Sequence, residues 1–116
     1  MKTTKNNLPP PQLIDVLDDV LSCKATSFRL TREPNHIMVA FSTHNRAGEI
    51  DYTTESGEEM MSYLIENSYG STGSPQAFEL EFENTTLKCN VSADNRMKPD
   101  QIEIVLTEIK KSQQGD

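Results

Sequence analysis

From Phe78 to Val91 apolar and polar residues alternate almost one for one. Phe78, Leu80 and Phe82 are set against Glu79, Glu81 and Glu83. After Asn84-Thr85, Leu87, Cys89 and Val91 are set against Lys88 and Asn90. A period of two is that of a strand with one face buried. Two such runs across a short polar turn predict a β-hairpin, with Glu79 and Glu81 placed to pair with Lys88 across it. A hairpin with one greasy face is not stable alone and needs further strands or a helix to cover it.

The rest of the chain supplies both. Leu13, Val16, Leu17, Val20 and Leu21 recur at helical spacing from about Gln12. They form one apolar stripe. Asp15, Asp18 and Asp19 fall mainly on the other side, and Asp15 is expected in the first turn, where it complements the helix dipole. Pro9-Pro10-Pro11 stops that helix from extending backwards. Ser27 to Arg32 reads as a strand with Phe28 and Leu30 inward and Arg29 outward. Glu33-Pro34-Asn35 is a turn signal. His36 to Thr43 is a second strand, with Ile37, Val39 and Phe41 alternating against Met38 and Ala40. Asn45-Arg46-Ala47-Gly48 turns the chain again, and Glu49 to Thr53 forms a short third strand through Ile50 and Tyr52.

A second helix is expected from about Glu55 to Asn67, with Met60, Met61, Leu64 and Ile65 on its buried side. Ser56 and Glu59 fit a capping box, and Thr54 competes as the cap. Tyr69 to Pro75, with two glycines and three hydroxyl residues, breaks regular structure. Beyond the hairpin lie a polar loop, Asp94 to Asp100, and a last strand, Ile102 to Ile109. The expectation is a single α+β domain over residues 12–109. It consists of a mixed, mainly antiparallel sheet of five to six strands with two helices packed on one face. Flexible tails flank it at 1–11 and 110–116.

The 116 residues carry a net charge of −7, with a pI near 4.8 and a mean hydropathy of −0.60. Such a surface repels phosphate backbones and anionic lipid, which argues against nucleic acid as a partner. Met1 to Gln12 has no apolar segment, so it reads as neither a signal peptide nor a membrane span, and a cytoplasmic location is expected. In that setting Cys23 and Cys89 are expected to be buried, reduced thiols. Asn84-Thr85-Thr86 and Asn90-Val91-Ser92 then read as strand and turn residues rather than glycosylation acceptors.

The residues that carry chemistry do not gather. Gly70-Ser71-Thr72-Gly73-Ser74 has the glycines of a phosphate loop but no lysine after it, and it does not lie between a strand and a helix. His36 opens a strand and His44 closes the same one, roughly 25 Å away, so the two cannot share a metal. Glu58-Glu59 and Asp18-Asp19 are sequence neighbours, which point apart on a helix. Met60-Met61 reads as core. No catalytic residue, cofactor or metal ligand is expected.

At the level of the whole domain the chain resembles the N-terminal, non-catalytic domain of the type IV pilus and type II secretion ATPases and their conjugative relatives. In that family a helix leads into an Ala-Ser-Asp-Ile-His-like strand. Here Val20-Leu21-Ser22-Cys23-Lys24 leads into Ala25-Thr26-Ser27-Phe28-Arg29-Leu30. A second strand and a turn with glycine follow, here Ile37 to Phe41 and Gly48, then a helix like Glu58-Glu59-Met60-Met61-Ser62-Tyr63-Leu64. The family closes with a hairpin, an Arg-Val-Asn-rich strand and an aliphatic strand, here Phe78 to Phe82, Leu87-Lys88-Cys89-Asn90-Val91 and Ile102 to Ile109. The likeness spans roughly residues 12–109 and is one of pattern. The family's acidic and histidine positions in the first strand are Ser27 and Arg29 here. Its later basic positions are reduced to Lys88 and Cys89.

The resemblance implies a domain that packs on a catalytic domain and helps to build a ring. The catalytic domain is not among these residues, so an arginine-finger role for Arg29 or Arg96 has no support. The expected function is contact with a protein partner, of which the resemblance implies a secretion or pilus component, through Asp15, Asp18, Asp19 and the exposed strand residues, Arg29 among them. Two alternatives share the size and acidity. One is a secretion chaperone, which would dimerise and end in a helix over Gln101 to Lys111. The other is a phage or plasmid inhibitor that fills a basic site. A small enzyme with a pocket at Arg29, His36 or Arg96 is a more distant possibility.

Overall fold

A computed structural model of the chain describes residues 9–43, 47–69, 74–82, 84–95 and 97–111. The proposed tails beyond these, His44 and the turn at 45–46, the loop 70–73, and Arg96 lie outside the described residues, as does the side chain of Phe82. The elements are α1 (Pro11–Ser22), β1 (Ser27–Arg32), β2 (His36–Ser42), β3 (Ala47–Thr53), α2 (Thr54–Tyr69), β4 (Phe78–Phe82), β5 (Thr85–Ala93) and β6 (Gln101–Lys111). They build one six-stranded sheet in the order β3-β2-β1-β6-β5-β4. Every pairing is antiparallel, so the sheet is not mixed.

The α+β expectation holds, with several local corrections. α1 begins at Pro11. Proline is well suited to the first helical position because its missing N–H has no partner to lose there. The Pro10 carbonyl accepts from Leu13 and Ile14 at 2.9 and 3.2 Å. Starting there moves Asp15 out of the first turn, which holds no acidic residue. α2 is capped by neither expected residue. The Thr53 hydroxyl accepts from the Ser56 N–H at 3.1 Å, which is the N-cap to N3 bond. β6 extends to Lys111 because Thr85 and Thr86 hold Lys111 and Lys110 in register.

α1 ends in a Schellman motif. The Lys24 N–H donates to Leu21 O at 3.0 Å and the Ala25 N–H to Val20 O at 2.9 Å. The left-handed residue that such an ending needs is Lys24, at φ 63°.

Both helices cover one face of the sheet. Leu13, Val16, Leu17 and Val20 of α1 and Met60, Met61 and Leu64 of α2 are buried against it, while Leu21 and Ile65 are half-buried at its margin. The sheet contributes Phe28, Leu30, Ile37, Val39, Leu87, Cys89, Val91, Ile102, Ile104 and Leu106. Each large side chain in such a core is worth about 1.5–3 kcal/mol over leaving it in water. Gly57 lets α2 approach closely. A Cβ there would lie 2.9 Å from Ile37 Cγ1 and collide with the Ile37 Cβ. The hairpin β4–β5 forms in the expected register, Glu79 opposite Lys88 and Leu80 opposite Leu87, with Asn84 at φ 63° in its turn. In β6 two residues, Glu108 and Ile109, oppose the single Leu87, because Lys88 pairs with Thr107 but Thr86 with Lys110. That is a β-bulge.

Candidate interaction surface

The alternation that buries Phe28 and Leu30 turns Arg29 to the opposite, uncovered face, where it lies across from Ala40 on one side and Glu103 on the other. With Ser92, Asp94 and Gln101 it borders a shallow depression of about 340 Å³. The rest of this face mixes polar and apolar residues: Thr31 opposite Met38, Asn90 opposite Val105, Lys88 opposite Thr107. Val105 is substantially open, at 41%.

Asp15, Asp18 and Asp19 are exposed on α1, on the covered side of the sheet. The structure therefore does not bring Arg29 to the acidic helix; the sheet separates them. Instead, Asp15 and Asp19 approach the phenol of Tyr52 on β3. Burial raises its pKa first, and these two carboxylates, one helical turn apart, raise it further. On the other side of β3, Glu49 and Asp51 are exposed, and Asp51 pairs with His36 at 3.5 Å. Asp15, Asp18, Asp19 and Glu49 make no ion pair among the described residues.

A second acidic surface borders α2. An open groove of about 700 Å³ runs between Pro10-Pro11 and the helix, with Glu55, Glu59, Tyr63 and Glu66 on its wall. Glu58 and Glu59 point apart as a helix requires. Glu59 accepts from Gln12 Nε2 at 3.2 Å, while Glu58 pairs with Arg32. Tyr63 packs edge-on against Phe78, centroids 6.1 Å apart. Its pKa is pushed up to about 12 by burial and by the neighbouring Cys89.

Arg32 is the residue that sequence reasoning gave no task. At the end of β1 it turns inward, with 17% of its side chain exposed. Its Nε and Nη2 donate to the Pro99 carbonyl at 3.1 and 2.8 Å. Nη1 meets Glu58 of α2, and Asp100 lies 3.8 Å away. The loop that it holds is folded on its own side chains. Asp94 Oδ1 accepts from the Asp100 and Gln101 N–H groups, and Asn95 Oδ1 from those of Met97 and Lys98.

Among the described residues no three His, Cys, Asp or Glu side chains are grouped as a metal would require. Neither cysteine is in a disulfide. Cys89 is buried, but Cys23, the C-cap residue of α1, is only half-buried. Burial pushes the Cys89 thiol up to about 12, which keeps it protonated and a poor nucleophile at neutral pH. Among the described residues no helix is long and apolar enough to cross a membrane. No protein-family model and no curated protein matches the chain.

Proposed function

We propose that this chain is a non-catalytic, cytoplasmic protein-interaction domain of the kind that stands at the N-terminus of bacterial secretion and pilus ATPases. The observation that carries this reading is the one-sided architecture. Among the described residues two helices cover one face of the sheet, and none covers the opposite face or pairs with the outer side of either edge strand, which suits them for contact with another protein. The element order, a helix and strands followed by a helix, a hairpin and a final strand, is the one that the resemblance requires. The chaperone alternative needs a helix over Gln101 to Lys111, and that segment is β6. The domain acts by binding and positioning, so its polar residues serve as contacts.

Affinity capture from the native host with the purified domain, together with light scattering, tests this reading. A monomer that recovers an identified secretion or pilus ATPase supports it. A stable dimer that recovers one unfolded effector replaces it with the chaperone.

A further inference from the structure

We propose that the free edge of β3 receives an extended, basic segment of a partner protein, which joins the sheet as a further strand between the carboxylates of α1 and those of β3. This rests on the interaction reading above and names the chemistry of the partner.

The backbone supplies the first argument. All seven residues of β3 pair with β2, from Ser42 opposite Ala47 to His36 opposite Thr53, without a break in register. No other described strand pairs with β3. Among the described residues, the N–H and C=O groups that point away from β2 therefore have no strand partner and can take a further strand. Protected edges are short, bulged, or carry proline or charged side chains. β3 has no bulge or proline, and its two charges, Glu49 and Asp51, are both negative, so they repel another acidic strand and not a basic one. The opposite edge, β4, offers only five residues.

Charge supplies the second argument. Asp15 and Asp19 are exposed on α1, which packs on the same core as Tyr52 of β3, and both carboxylates act on the Tyr52 phenol. Glu49 and Asp51 lie on the other side of β3. A second copy of β3 would set these like charges against each other across the new strand pair. A strand bearing lysine or arginine on both faces would meet carboxylates on each side. Its main chain would supply the hydrogen bonds, and its cations the selectivity and speed of encounter.

The test uses the whole chain and a fluorescent peptide of alternating lysine, threonine and valine, long enough to span β3. Controls replace lysine by glutamate, or carry N-methyl groups on alternate residues in each of the two phases. The expected result is saturable binding of the lysine peptide and slowed amide exchange in β3. The glutamate peptide and the D15K/D19K variant should each bind at least about tenfold more weakly. One methylated phase should lose binding, because it blocks the hydrogen bonds that face the edge. The proposal is overturned if the lysine peptide does not bind, if both methylated phases bind as well as the parent, if protection appears at β4, or if a concentration-dependent dimer occupies β3. If a host ATPase is captured equally by D15K/D19K and leaves β3 exchange unchanged, the edge assignment fails while the interaction reading stands.

Discussion

Arg32 and Glu58 meet where β1 ends and α2 passes over it. The same guanidinium holds the Pro99 carbonyl with two of its nitrogens. One cation thus ties a strand, a helix and the β5–β6 loop together. Arg32→Met keeps the length of the side chain but leaves a buried carbonyl and a carboxylate without their donor. Hydrogen bonds to a charged group are worth about 1.5–3 kcal/mol. A loss of stability in that range is expected from the urea midpoint. Glu58→Gln should cost under about 1 kcal/mol, since Glu58 is 44% exposed and screened by water. Equal losses from the two variants would show that the carbonyl contacts contribute nothing.

Gly57 marks a close approach of α2 to Ile37 of β2. Alanine is the better helix former by about 1 kcal/mol, so a bare helix would gain from Gly57→Ala. Here the added methyl meets the branched Ile37 and cannot turn away. Overpacking of this kind costs about 1–3 kcal/mol. The expected outcome is net destabilisation, relieved only in part in the double variant with Ile37→Val, which removes Cδ1 but keeps the colliding Cβ.

Lys24 occupies a left-handed position that glycine fills most easily. An L-residue with a bulky side chain there costs about 1–2 kcal/mol, against which glycine loses roughly 0.5–1 kcal/mol in chain entropy. Lys24→Gly should therefore raise the thermal midpoint slightly, by an amount equivalent to about 0.5–1 kcal/mol. A lowered midpoint would mean that the lysine side chain makes a contact of its own.

The buried thiol gives stability a pH limit. In the native state Cys89 holds its proton up to about 12, against 9.0 for a free thiol. Below pH 9 both states are protonated and the contribution is complete. Between 9 and 12 the unfolded chain binds fewer protons than the native one, so stability falls as pH rises, by up to about 1.4 kcal/mol per pH unit. Tyr63, also raised to about 12 from 10.0, adds to the fall from pH 10 upward. Urea midpoints between pH 8 and 10 should drop for the parent and stay flatter for Cys89→Ala.

The same burial predicts which thiol reacts. Native protein treated with iodoacetamide at pH 8 should be alkylated at half-buried Cys23 and spared at Cys89. Both should react in urea. Peptide mass mapping reads this directly, and early labelling of Cys89 would mean that the core opens locally.

Most of the fold was legible because the periods of the chain are unambiguous. Phe78 to Val91 reads as a hairpin from alternation alone, and the stripe from Leu13 to Val20 reads as a helix. What stayed hidden depends on distance along the chain. Arg32 looks like a charged strand end, and its partners Glu58 and Pro99 lie 26 and 67 residues away. Thr53, Thr54 and Ser56 are all competent caps, and only the backbone geometry chooses Thr53. For the candidate surface, the alternation of β1 already gave Arg29 an outward direction. That Asp15 and Asp19 would stand beside the edge strand, rather than near Arg29, follows from how α1 lies on the sheet, and no local pattern encodes that.

β6 lies between β1 and β5, so of the six strands described the one synthesised last is the one that joins the two halves of the sheet. Until it arrives, the meander β1–β2–β3 and the hairpin β4–β5 each carry an extra open border, and Leu30 and Val91 lack the neighbours Ile102 and Ile104 that shield them in the finished sheet. Vectorial synthesis therefore passes through a stage exposed to mispairing. A nascent chain stalled before Gln101 should be sticky, protease-sensitive and open to rescue by a separately supplied β6 peptide.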